Sequence, residues 1–338
     1  MVKVAMIGFG GIAQAHRYAY WYYQKAGLPV RLVAAADTDP NKFNTVTKIN
    51  IALRGTIENE LPFTAYTDWR EMLEKEQPDV VDICLPTGFH KPVAIEALQR
   101  GFHVLCEKPM SESYADCVEM VEAAKAADRQ LMIAQCVRFQ PEYEHLQKAV
   151  SEGLYGKVLS AAFYRYSPFP TWSSAWRLNA GLSGSCLAEL NIHDIDVIQA
   201  IFGLPQSVRC ELQSNVYPYD FADTTFRYPE LSVSIKSAWY DEDYQFNAGY
   251  EVTFEQGVLE HKNGQVFFTD NSGVTQTIAV EDADGVMGEI RYFVKILDAG
   301  ADNHRNPPEE SARTIYTLEK LFASAGAGGC ELPYGEEA

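Results

Sequence analysis

The chain has no C-x-x-C pair. Its seven cysteines (84, 106, 117, 136, 186, 210 and 330) stand singly, with no metal-type spacing to a histidine. A zinc module or a disulfide framework is therefore not expected, and no metal site is assigned. Several of these cysteines lie in apolar runs, where a free thiol packs as a small core residue and suits a reducing compartment. No apolar run reaches the length of a membrane span, and no leader-like segment precedes the first strand at Val2. A cytoplasmic location, away from the membrane, is the expectation. Basic residues are scarce: 28 Lys and Arg face 46 Asp and Glu, for a net charge of −18. A field of that sign repels phosphate, so nucleic acid and anionic membranes are not expected partners. Internal repeats and low-complexity linkers are also lacking. The 338 residues exceed one ordinary domain and suit two, and 47% apolar content can supply a sizeable core.

What is present is a rhythm. Up to residue 137, short apolar runs at 2–7, 30–36, 79–85, 102–106 and 130–135 alternate with amphipathic stretches at 11–26, 40–50, 68–76, 89–100 and 112–127. That pattern predicts a doubly wound α/β domain with a parallel sheet and helices on both faces. Runs such as Val80-Val81-Asp82-Ile83-Cys84-Leu85 are nearly all apolar, as buried parallel strands are. Beyond a helix at 142–150 the pattern changes. Alternating segments at 157–166, 206–216, 221–228, 231–240, 249–254, 257–261 and 264–268 predict an open, mainly antiparallel sheet, with tight turns at Gly257 and Asn263-Gly264. Helical stretches at 187–202, 283–300 and 309–325 make this second part α+β. The boundary is drawn between a domain at 1–137 and another at 138–338.

The first thirteen residues carry the sharpest motif. The strand Val2-Lys3-Val4-Ala5-Met6-Ile7 runs into Gly8-Phe9-Gly10-Gly11-Ile12-Ala13, a G-x-G-x-x-A between strand and helix. Gly8 allows the tight turn, Gly10 keeps side-chain atoms off a pyrophosphate, and Ala13 lets the helix pack close. The helix start at Gly11 and Ile12 offers backbone N–H groups to the phosphates. Asp37 ends the second strand, where a carboxylate accepts from adenosine ribose hydroxyls and repels the extra phosphate of NADP, so NAD is expected rather than NADP. Asp37 also reads as the first residue of a turn, Asp37-Thr38-Asp39-Pro40, and the two readings are compatible.

Ligands of such sheets sit at the strands' carboxyl ends. Pro86, Thr87 and His90 follow the 79–85 strand and should border the cofactor, with His90 reaching the nicotinamide ribose or, equally well, facing solvent at a helix start. Glu107 and Lys108 follow the 102–106 strand and are likewise expected to contact the cofactor. Lys108 can stabilise negative charge on a substrate oxygen, or it is a solvated turn lysine paired with Glu107. In the second part, Glu189 and His193 lie four apart on a helix and share a face with Asp196. A carboxylate beside an imidazole suits a general base, and a satisfied core histidine is the plain alternative. Arg138, Trp176 and Arg177 fall in or near an aromatic-rich region suited to sugar recognition or to simple packing.

Taken in order, the glycine turn at 8–13, Glu107-Lys108-Pro109, Arg138-Phe139-Gln140-Pro141, Trp176-Arg177 and His193-Asp194-Ile195-Asp196 resemble the Gfo/Idh/MocA oxidoreductases over nearly the whole chain. The resemblance implies an N-terminal Rossmann domain that binds NAD and a C-terminal domain for substrate and oligomerisation. Its open sheet would mediate a homodimer or homotetramer. The implied reaction moves hydride between nicotinamide and a ring hydroxyl carbon of a sugar, sugar derivative or inositol. Lys108 matches the catalytic lysine that contacts substrate and nicotinamide ribose. His193 matches the histidine that exchanges the hydroxyl proton. Glu189 stands where many inositol-dehydrogenase-like members carry aspartate. Two alternatives accompany this reading: an NAD-dependent glycosidase that oxidises its sugar transiently, and a non-catalytic regulator that binds NAD and sugar.

Overall fold

The computed structural model describes residues 1–44, 62–170 and 185–335. The chain divides into two compact units, Met1–Cys136 with Gly285–Ala312, and Val137–Asp284 with Arg313–Ala338.

The first unit is built on a six-stranded parallel sheet in the order β3-β2-β1-β4-β5-β6, from β1 (Val2–Ile7), β2 (Val30–Ala36), β3 (Thr64–Tyr66), β4 (Val80–Ile83), β5 (His103–Cys106) and β6 (Leu131–Ile133). It is the doubly wound α/β sheet expected from the alternation of strands and helices. The chain winds outward from β1 to β3, then restarts beside β1 with β4. The carboxyl ends of β1 and β4 therefore form the switch point where such sheets bind ligands. The helices are α1 (Gly11–Lys25), α2 (Trp69–Glu76), α3 (His90–Gln99) and α4 (Tyr114–Ala127). Their starts follow local chemistry: Asp68 caps α2 by accepting from the Arg70 and Glu71 amides, and Ser113 caps α4 through the Asp116 amide. The helix expected at 40–50 is a short 3₁₀ turn at Pro40–Asn44 as far as the described residues run. The three-residue β3 was not foreseen, because it is too short to show a period.

The second unit contains α5 (Pro141–Ser151), β7 (Val158–Pro168) and a wide π-type turn at Leu187–Asn191 that continues into α6 (Ile192–Phe202). After these come β8 (Ser207–Gln213), β9 (Phe221–Arg227), β10 (Ser232–Tyr240), β11 (Asn247–Phe254), β12 (Gly257–Lys262), β13 (Gln265–Asp270) and β14 (Thr275–Ile278). Its nine-stranded sheet runs β14-β13-β12-β11-β7-β10-β9-β8-β15, the last strand being Leu332–Pro333. Every pair is antiparallel except β7 with β10. Asn263 and Gly264 both take positive φ (53° and 72°) in the β12–β13 hairpin, the backbone that a two-residue turn requires. On β7 the residues Ala161, Phe163, Arg165 and Ser167 alternate inward, and the wide turn at 187–191 packs over β7, β9 and β10.

The cut at 137/138 needs one correction. Helix α7 (Gly285–Ala299) does not join the second unit. It packs on α1 and β1 of the first, burying Val286, Ile290, Phe293 and Val294. The division falls within the final helix α8 (Pro308–Gly326), after Ala312. An amphipathic helix displays its apolar stripe in the sequence but not the partner that will cover it.

Candidate active site

In the first unit, the glycine turn is shaped as the motif predicts. Gly8 has φ +90°, and a Cβ there would stand 2.4 Å from the Cys84 carbonyl oxygen at the end of β4. No side chain fits between these strand ends. Gly10 stands at the N-cap of α1, which has no side-chain cap and no acid in its first turn, and a Cβ on it would meet nothing within 4 Å. The first N–H groups of α1, including those of Gly11 and Ile12, thus meet open space with the positive end of the helix dipole behind them. Asp37 follows β2. Its Oδ2 accepts from the Phe9 amide (2.8 Å) and the Lys42 ammonium (3.0 Å), and its Oδ1 accepts from the Asp39 amide (2.9 Å). Burial alone would push this carboxyl up. The backbone donors and Lys42 outweigh burial and hold it below the ordinary carboxylate range. An uncapped helix start, a glycine cradle and an ionised acid at the next strand end fit a dinucleotide.

The turn after β4 places Pro86 at the surface and buries Thr87. His90 is corrected here. It is fully buried, with Nδ1 2.8 Å from the Pro109 carbonyl oxygen and Nε2 2.8 Å from that of Leu85. Its ring ties the loop after β4 to the loop after β5, so it braces the Lys108 loop instead of touching a ribose.

Glu107 is corrected in the same way. It is buried, and its Oε1 meets His16 Nε2 (3.1 Å) while its Oε2 accepts from the Lys108 amide (3.0 Å). The other face of the His16 ring meets Asp82 (2.9 Å), which also accepts from the Tyr20 hydroxyl (2.9 Å). Burial pushes the His16 imidazole down, but Asp82 reverses the effect and lifts it well above its ordinary value. Burial pushes Glu107 up, and His16 and Lys108 bring it below its ordinary value. Glu107 therefore fixes the backbone on which Lys108 stands. Cys84 adjoins the cluster, with Sγ 3.6 Å from Asp82 Oδ1. His16, Asp82 and Cys84 are metal-ligand types, yet their contacts, completed by Tyr20, form a hydrogen-bond network. Sequence reading missed His16 and Asp82. Asp82 was visible as the one charge in an apolar parallel strand, and His16 sits on the Ala13–Ala19–Tyr20–Tyr23 stripe of α1. The Lys108–Pro109 peptide is cis.

In the second unit, α6 is held by two buried bidentate pairs. Arg165 of β7 grips Asp194 (2.8 and 2.9 Å), and Arg138 grips Asp196 (2.6 and 2.8 Å), with the Thr314 hydroxyl adding a bond to Asp196 (3.0 Å). This corrects two expectations. Arg138 is 5% exposed and neutralises a buried carboxylate, which is a structural task and not that of a substrate contact. Asp196 serves Arg138 and Thr314, not His193. His193 directly precedes Asp194, and from Asn191 to Gln199 it is the one residue that is not buried. Glu189 lies within the wide turn and is 7% exposed. Such turns insert a residue into a helix and recur at functional sites. Trp176 and Arg177 lie outside the described residues.

A Rossmann unit with a glycine-turn nucleotide cradle, accompanied by an open, mainly antiparallel sheet and a partly exposed helical histidine, fits a two-domain nicotinamide oxidoreductase. Family comparison agrees: residues 2–135 match the oxidoreductase family with an NAD-binding Rossmann fold, and residues 143–260 match the GFO/IDH/MocA C-terminal domain. The chain belongs to the Gfo/Idh/MocA oxidoreductases. Levoglucosan dehydrogenase of Pseudarthrobacter phenanthrenivorans is 28% identical over 225 residues, 63% of this chain and 54% of that protein, so the match spans about half of that relative's length. The scyllo-inositol 2-dehydrogenase (NADP⁺) of Bacillus subtilis is 26% identical over 78% of this chain and 82% of its own. Among solved structures, levoglucosan dehydrogenase in complex with NADH and levoglucosan superposes with a TM-score of 0.83 at 18% identity, covering 99% of this chain and 100% of that one.

Proposed function

We propose that this enzyme is an NAD-dependent dehydrogenase acting on a ring hydroxyl of a sugar, sugar derivative or inositol. The observation that carries the reading is His193, the one residue from Asn191 to Gln199 that is not buried, on a helix clamped through Asp194 and Asp196. NAD, held by the Gly8–Ile12 turn and Asp37 with Pro86 and Thr87 bordering it, supplies the hydride acceptor when bound. His193 takes the proton of the reacting hydroxyl. Lys108, fixed through Glu107 and His16, is a donor suited to stabilising negative charge on a substrate oxygen. Glu189 orients His193 or a neighbouring hydroxyl. Trp176 and Arg177 remain proposed substrate contacts. The dehydrogenase names of the relatives support the class of substrate. No observation favours the glycosidase or regulator readings.

The test is a panel of sugars, sugar acids and inositols with NAD. Growth of NADH absorbance with at least one of them is expected. Release of an aglycone with no net NADH would overturn the reading in favour of transient oxidation. Tight NAD binding with no turnover of any polyol would leave a binding protein.

We also propose assembly through the open face of the nine-stranded sheet. There Tyr164, Tyr166, Tyr240 and Tyr244 form a chain of ring contacts at 5.6, 5.8 and 4.4 Å, with Tyr240 41% exposed. Light scattering on the eluting protein should give a dimer or tetramer mass. Among the described residues, no helix is long and apolar enough to cross a membrane. Seven free thiols, five of them buried, support a cytoplasmic setting.

A further inference from the structure

We propose that Lys42 sets how strongly this enzyme discriminates NAD from NADP, by neutralising Asp37 and offering its ammonium to a 2′-phosphate. The inference rests on the NAD site proposed above and concerns its adenosine end.

An acid at the end of β2 normally rejects NADP through charge repulsion. Here the acid is not bare. Its Oδ2 carries the Lys42 ammonium at 3.0 Å, and Oδ1 and Oδ2 are each anchored by a backbone amide. The turn that bears Lys42 is pinned, so the root of its side chain stays beside Asp37. The neighbouring Phe43 ring packs on Phe9 of the glycine turn (4.8 Å) and on Phe63 (6.2 Å). Phe9 is fully buried, so the Pro40–Asn44 turn is fastened to the nucleotide loop itself. The Lys42 side chain is nevertheless 41% exposed and can turn its donors outward, whereas that of Asp37 is 6% exposed. A ribose substituent bonded to Asp37 therefore comes within a few ångströms of a cation. For a hydroxyl this changes little. For a phosphate it offsets the repulsion that Asp37 exerts.

At that range and exposure, one unit charge on a phosphate corresponds to about a tenfold change in binding. The purified full chain should therefore bind NAD more tightly than NADP, with a modest ratio. In Lys42→Met, titration calorimetry should show the NADP dissociation constant rising about tenfold while that of NAD moves by less than about twofold. Lys42→Arg should restore the wild-type ratio. Added salt should weaken NADP binding more in wild type than in Lys42→Met, because the screened ion pair exists only there. Equal weakening of both cofactors, or an unmoved NADP constant, overturns the proposal. Asp37→Ala, measured alongside, separates the two levels. A ratio that shifts with Asp37→Ala but not with Lys42→Met refutes only the role of Lys42. A ratio that ignores Asp37→Ala, or a wild-type chain that binds neither nucleotide, refutes the adenosine site itself.

Discussion

Arg138→Met should unfold the enzyme more easily and leave its chemistry alone. The guanidinium donates to both oxygens of Asp196 at 2.6 and 2.8 Å, and the two side chains are 4% and 1% exposed. Methionine keeps the apolar stem but strands the carboxylate with the Thr314 hydroxyl at 3.0 Å. Removing one partner of a buried pair costs about 3–5 kcal/mol, because the other charge remains out of water. For a unit of about 170 residues, that corresponds to a fall of roughly 6–20 °C in the melting midpoint. The double variant Arg138→Met/Asp196→Leu removes the stranded charge as well, and apolar replacement of such pairs is often close to neutral. It should therefore melt higher than the single variant, a coupling that a double-mutant cycle reads directly. Melts followed by circular dichroism, with KM measured at a temperature where every variant is folded, decide the matter. A wild-type midpoint together with a raised KM for the polyol would return Arg138 to the substrate and refute the structural reasoning.

Three further outcomes are expected. His193→Ala should lose about 10²–10⁴-fold in kcat while its NAD dissociation constant stays close to wild type, as stopped-flow and binding titrations would show; full activity removes the imidazole from the chemistry. Gly8→Ala forces φ +90° on an L residue and drives a methyl to 2.4 Å from the Cys84 carbonyl. It should cost at least about 1–3 kcal/mol of stability and weaken NAD, and a wild-type melt with unchanged affinity contradicts this geometry. His16 has a folded pKa raised well above 6.5, so its contribution is full below that value and is lost as pH climbs through the raised one. Wild type should lose melting temperature on the alkaline side, while His16→Gln should start lower and fall less steeply. Parallel curves for the two proteins would show that the His16–Asp82 pair does not titrate as described.

Elements with a clear period or a fixed local chemistry were legible in the sequence. The strands at 2–7 and 30–36 appear as expected, and Asn263-Gly264 makes its hairpin because two positive φ angles are cheap for that pair. The family resemblance carried Lys108 and His193, and local sequence alone could not have separated either from a surface lysine or a core histidine. Pairings between distant residues were not legible. Arg138 lies 58 residues from Asp196 and His16 91 residues from Glu107. Nothing in the residues around a charge states which buried opposite it will meet. That is why Arg138, His90 and Glu107 resemble ligand contacts in the sequence: each carries the right functional group in the right neighbourhood, but its hydrogen bonds are made inside the protein.

The return of Gly285–Ala312 to the first unit sets the order in which this chain can mature on the ribosome. When residue 136 emerges, the whole parallel sheet has been made, but the surfaces of α1 and β1 that α7 covers have no lid, and Glu289, fully buried in the finished protein, has not yet been synthesised. The nucleotide-binding half must wait, partly open, through the translation of nearly 150 further residues. Domains ordinarily fold as units, N-terminal first, and this one can complete its core only after the intervening unit has been threaded out.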